Sequence, residues 1–180
     1  MTARLHRPLR LALAAALLVC GTVELITYPA EWQIASANSR LENALRQPNG
    51  ANQVTSVNFA LELSRRATEK TPYDVRAALA YGTALTMLRK GGDAVNLLEP
   101  VIAHAERPEL VVALGRALAA TGDDSGAHKA FLRAAWAAPA SIATLPKAVR
   151  IELLSEVASL EGDLTSRRLS APPPMPRISR

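Results

Sequence analysis

Three histidines, one cysteine, a pair of adjacent aspartates and two well-separated arginines are the side chains that invite a chemical role in this sequence. His6, His104 and His128 stand apart, with no cysteine or carboxylate at ligand spacing, so they read as surface or boundary residues rather than metal ligands. Asp123 and Asp124 follow Gly122 and precede an apolar-periodic stretch, where a carboxylate caps the first turn of a helix. The sequence has no Gly-rich phosphate loop ending in Lys-Ser or Lys-Thr, no Gly-x-Ser-x-Gly elbow and no His-Glu-x-x-His pair. These observations predict a chain that is not an enzyme and uses no cofactor and no metal. Arg76 and Arg116 offer different chemistry, because a guanidinium grips a carboxylate or a backbone carbonyl through charge-assisted hydrogen bonds. That chemistry is recognition.

The elements that must carry these arginines are helices. Apolar residues make up 49% of the 180, yet aromatics only 4%, so alanine and leucine supply the core. An alanine-rich chain poor in β-branched residues favours helix over strand. No stretch alternates apolar and polar residues over a useful length, so no sheet is expected. Gly and Pro fall at regular intervals: Pro48-Asn49-Gly50, Thr71-Pro72, Gly91-Gly92, Arg107-Pro108, Thr121-Gly122-Asp123 and Pro139 to Pro146. Between them, helices are expected near 32–47, 53–70, 73–90, 93–105, 108–121, 124–138 and 146–161, with Asp93 capping the fourth. The last carries an apolar stripe, Val149, Leu153, Val157 and Leu160, suited to closing a helical array.

Two of these segments repeat. Leu79-Ala80-Tyr81-Gly82-Thr83-Ala84-Leu85 and Val112-Ala113-Leu114-Gly115-Arg116-Ala117-Leu118 lie 33 residues apart and share a large residue, Gly, two spacers and Leu. The second unit, 108–141, continues with Gly122-Asp123, Ala127, Phe131, Ala134 and Pro139. Gly115 and Ala127 let two helices approach, Leu114, Leu118 and Phe131 fill the space around them, and Gly122 permits the turn. The first unit places Gly92 ten residues after Gly82, which predicts a first helix about one turn longer, and Pro100 predicts a kink in its second helix. A half-unit precedes it in Ala60, Leu63, Ala67 and Pro72. Over roughly residues 55 to 141 the pattern resembles the tetratricopeptide repeat. The resemblance implies a short α-solenoid of helical hairpins with a capping helix. It also implies a protein partner bound along the first helices, at Arg76, Leu79, Thr83 and Met87 and at Glu109, Val112, Arg116, Ala119 and Ala120.

Arg4, His6, Arg7 and Arg10 form a basic flank, 1–10, before the apolar segment 11–28, which only Glu24 interrupts. This approaches the ~20 residues needed to cross a bilayer. The flank predicts an inside N-terminus and an exported C-terminal part, with Tyr28 and Trp32 at the interface. The alternative is a cleaved signal peptide and a soluble periplasmic product. Cys20 follows Val19, a poor residue before a lipidated cysteine, and reads as part of the apolar segment. Residues 29–163 form the helical domain, and the Pro- and Arg-rich 164–180 a tail without a fold of its own.

The net charge of +5 does not indicate nucleic acid, because Arg4, Arg7, Arg10, Arg167, Arg168, Arg177 and Arg180 hold the excess outside the helical domain. The expectation is therefore an adaptor in the inner membrane, with its repeat domain in the periplasm. It would bind a protein partner of an envelope secretion, surface-polymer or cell-wall assembly system. The alternatives are a structural subunit of a membrane complex or a glycan-binding module, the latter disfavoured by the few aromatics.

Overall fold

The computed structural model describes residues 29–46, 51–166 and 173, and these are helical with no strand among them. α1 covers 29–46. It is followed by α2 (Ala51–Lys70), α3 (Val75–Met87), α4 (Gly91–His104), α5 (Pro108–Thr121) and α6 (Asp124–Ala137). A 3₁₀ helix, Pro139–Thr144, and α7, Lys147–Thr165, are the last of the described elements. The basic flank 1–10, the apolar segment 11–28 and all of the tail except 164–166 and Pro173 lie outside the described residues.

Local chemistry explains the boundaries. Asp74 starts α3 by accepting from the N–H groups of Arg76 and Ala77, at 2.8 and 3.1 Å. Pro108 opens α5 at a position where a missing N–H costs nothing. Gly122 ends α5 with φ of 86°, a left-handed conformation that glycine adopts without a steric penalty. Asp123 then caps α6 by accepting from Gly126 N at 2.8 Å.

Several expectations need correction. α4 begins at Gly91, with Lys90 at its N-cap and no side-chain cap, so Asp93 sits inside the first turn instead of before it. α3 is not a turn longer than α5: it has 13 residues against 14. Gly92 is not the counterpart of Gly122. The left-handed turn residue of the first hairpin is Arg89, with φ of 61°, and a non-glycine there is invisible to a search for glycines. The segment after Pro139 is a 3₁₀ helix, with Ile142 buried, rather than a plain break. Pro100 lies on the exposed side of α4, which continues to His104.

With that turn aligned, the two hairpins match at a constant offset of 33. Pro108 follows Val75 by that interval, Asp124 follows Gly91, and Ala137 follows His104. Their packing matches too. A Cβ on Gly82 would lie 3.1 Å from the Leu98 methyls, and one on Gly115 would lie 2.5 Å from the Phe131 ring. The buried small residues Ala94 and Ala127 are also equivalent.

The helices form two layers. α3 and α5 pack directly on each other, whereas among the described residues α2 and α4, or α4 and α6, make no comparable backbone approach. α1 joins the closer layer, because Leu41 and Ala44 share a buried cluster with Ala80 and Ala84. Helices close together on one side and splayed on the other make an array that curves. Its concave face is therefore the α1, α3, α5 layer. α7 closes the end, burying Leu153 and Val157, with Val149 and Leu160 partly covered.

Candidate functional site on the concave face

Thr83 and Met87 project from one face of α3, four residues apart, and Thr86 stands one position before Met87. Ala113 and Arg116 occupy the facing side of α5, three residues apart. Together with Leu45 of α1 and Thr144 of the 3₁₀ helix they enclose a pocket of about 380 Å³. A largely apolar pocket of this size with a few polar groups has the make-up of a ligand site. All of its lining comes from the concave layer and the 3₁₀ helix that follows α6.

Arg116 is the charged group of this pocket. Its guanidinium donates to Thr144 Oγ1 at 2.5 Å and reaches the Thr144 carbonyl at 3.4 Å. No carboxylate pairs with it among the described residues. Arg116 remains exposed to solvent, and the part of it covered by the pocket wall lowers its pKa from the usual arginine value. An arginine stays protonated even so, and an anionic group entering the pocket would supply the missing charge. Arg150 donates to the preceding carbonyl, that of Ala143, at 3.2 Å. Two guanidiniums thus hold the end of the 3₁₀ helix that forms the pocket wall. Thr86 Oγ1 is committed to the Gly82 carbonyl, at 2.8 Å.

The structure brings together Thr83, Met87 and Arg116 from the positions predicted on the sequence. Arg76 lies elsewhere, in the first turn of α3, roughly 10 Å along the helix from Thr83 at 1.5 Å per residue. It bonds Glu31 of α1 at 2.5 Å and Asp74 at 3.3 Å. Glu31 first, and then Asp74, raise its pKa. Arg76 is therefore already neutralised and is a brace between helices. Leu79 packs against the core and Val112 is buried within it. Glu109 is exposed near the start of α5, and Ala119 and Ala120 do not line the pocket.

Leu45, Thr86, Ala113 and Thr144 were not visible as lining residues. Helical spacing carried a signal for two of them, since Thr86 and Ala113 lie three residues from Thr83 and Arg116. Leu45 and Thr144 had none, because their helices meet α3 and α5 only in the fold.

A second set of contacts ties the other ends of the helices. Glu31 meets Arg76, Tyr73 stacks on His104 with ring centroids 4.4 Å apart, and Glu106 receives Arg133 Nε at 2.7 Å. Arg133 also donates to the Pro173 carbonyl at 3.0 Å. Among the described residues no group of three His, Cys, Asp or Glu side chains gathers as a metal site would require. No helix among them is long and apolar enough to cross a membrane.

No protein-family profile, curated protein or solved structure matches this chain.

Proposed function

We propose that this protein is a non-enzymatic adaptor of the tetratricopeptide kind, which holds a segment of a partner protein against its concave face. The observation that carries the reading is the pocket itself, in which Arg116, open to solvent and without a carboxylate partner among the described residues, stands beside Leu45, Met87 and Ala113. An extended peptide with an apolar side chain next to a carboxylate would satisfy both parts of that lining. The basic flank and the apolar segment 11–28 support a place on the exported side of a bacterial inner membrane. There the adaptor would serve an envelope secretion, surface-polymer or cell-wall assembly system.

In-cell crosslinking of the full-length protein, followed by pull-down, tests this reading with Arg116→Glu and Arg76→Glu side by side. The expected result is a dominant partner that disappears with Arg116→Glu and persists with Arg76→Glu, because only Arg116 lines the pocket. A partner retained by both variants would overturn the pocket reading. It would favour a structural subunit joined through another surface. The exposed Ile151 and Leu154 of the closing helix are the observation on that side.

A further inference from the structure

The edge laced by Glu31–Arg76, Tyr73–His104 and Glu106–Arg133 is also the edge where the chain enters the domain. The described part of α1 begins at residue 29, next in sequence to the apolar segment 11–28. The helices run up and down, so the start of α1, the α2–α3 turn, the α4–α5 turn and the end of α6 come to the same edge. The three contacts fix these pieces level with one another.

Two large aromatic side chains stand open there. Trp32 is 57% exposed near the beginning of the described part of α1, and Tyr73 is 55% exposed in the α2–α3 turn. Exposed aromatics are unusual in a chain that is only 4% aromatic. The other exposed aromatic among the described residues, Phe59, lies midway along α2 with Arg40 stacked on its ring at 3.9 Å. At the opposite edge Leu45 and Val54 are exposed, but no aromatic is.

We infer that this edge is a membrane-contact surface, which seats Trp32 and Tyr73 in the phospholipid headgroup layer. The inference rests on the reading of 11–28 as a membrane segment. Lengths agree with it. Trp32 follows the apolar segment by four residues, and from residue 29 to Trp32 the helix rises only about 5 Å. The headgroup layer on each side of the hydrocarbon core is roughly 5–8 Å thick. Tyr73 reaches the same level because Arg76, three residues on, is bonded to Glu31 beside Trp32. Amphipathic rings favour that depth, with the ring body in the apolar boundary and the N–H or O–H in water.

The paired charges at the edge cancel: Arg76 and Arg133 are matched by Glu31, Asp74 and Glu106, and Glu109 follows Arg107 by two residues. The partner surface is thus a phospholipid interface recognised through its polarity gradient, without a demand for anionic lipid. One consequence is orientation, with the first helices rooted at the bilayer and the concave pocket held at a fixed height above it.

The test uses the full-length protein in phosphatidylcholine vesicles brominated near the headgroup end of the acyl chains. Trp32 emission is read as the difference between the protein and its Trp32→Phe variant. Tyr73→Trp and Val54→Trp, each made on Trp32→Phe, report the two edges. The inference expects several-fold stronger quenching at position 32 and in Tyr73→Trp than in Val54→Trp, unchanged when anionic lipid is added. Protein that floats with the vesicles after a carbonate wash, with equal quenching at all three positions, overturns the edge and leaves the membrane segment standing. Protein that does not float overturns both.

Discussion

Gly115 and Phe131 are fitted to each other more tightly than their equivalents one repeat earlier, Gly82 and Leu98. A Cβ placed on Gly115 would lie 2.5 Å from Cε1 of the Phe131 ring. The equivalent pair one repeat earlier, Gly82 and Leu98, would leave 3.1 Å to flexible methyl groups. The same device is therefore set at two different tolerances by the residue opposite the glycine.

Gly115→Ala is expected to destabilise the fold by about 1–2 kcal/mol. Alanine gains about 1 kcal/mol of helix propensity over glycine, but overpacking a filled core typically costs about 1–3 kcal/mol, and this ring has little room. Gly82→Ala is expected to be close to neutral, because Leu98 can shift by a few tenths of an ångström. Combining Gly115→Ala with Phe131→Leu should recover most of the loss. Urea denaturation of the four proteins measures it, and additive effects of Gly115→Ala and Phe131→Leu would contradict the contact.

Arg89 holds the left-handed turn position that Gly122 occupies in the next hairpin, with φ of 61°. A non-glycine residue there carries a steric cost of about 1 kcal/mol, partly offset because glycine loses more entropy on folding. Arg89→Gly should therefore raise stability by about 0.5 kcal/mol, or about 1–2 °C in a domain of this size. Arg89→Val should lower it, since a β-branched residue fits that region worst. A thermal melt that ranks valine above glycine would show that the turn relaxes when substituted.

Binding of the partner segment should be sensitive to Arg116 and indifferent to Arg76. A hydrogen bond to a charged group contributes about 1.5–3 kcal/mol, so Arg116→Ala should weaken binding by roughly 10- to 100-fold. Met87→Asp should act in the same direction, through repulsion of an acidic segment. Arg76→Ala removes the brace to Glu31 and should leave affinity near the parent value. Titration of the captured partner by calorimetry checks all three, and equal losses at both arginines would place the segment outside the pocket.

Glu62 should titrate far below an ordinary glutamate. Arg65 holds its two oxygens at 3.0 Å each, and Arg66 Nε adds a contact at 2.7 Å. These hydrogen bonds, Arg65 first, bring its pKa from 4.5 to about 2. The native value is the lower one, so the contribution to stability is complete above pH ~4.5 and is lost as pH falls towards 2. The group is exposed, so the effect on stability is small and salt weakens it. Carbon-detected NMR of the Glu62 carboxyl should show the depressed midpoint at low salt and an upward move in Arg65→Gln. An unshifted midpoint would mean that the arginines do not dwell on the carboxylate.

The sequence by itself determined what local rules encode. Helical periodicity, the proline at the start of α5, Asp123 as a cap and Gly122 as a turn all act within a few residues, so the segmentation into helices could be read from residue order. The spacing of Gly82 and Gly115 carried the repeat, because a missing side chain is needed wherever two helices of a hairpin cross. Arg89 broke the legible pattern, since the backbone there is dictated by the packing of α3 on α4 and not by the residue. Only the tertiary structure decided which arginine is available. Arg76 and Arg116 look alike in sequence. One finds Glu31 across a helix contact and is neutralised, while the other meets only a threonine and lies beside Leu45 and Met87. Charge pairing depends on distances in space between segments far apart in the chain, and no spacing along the chain records them.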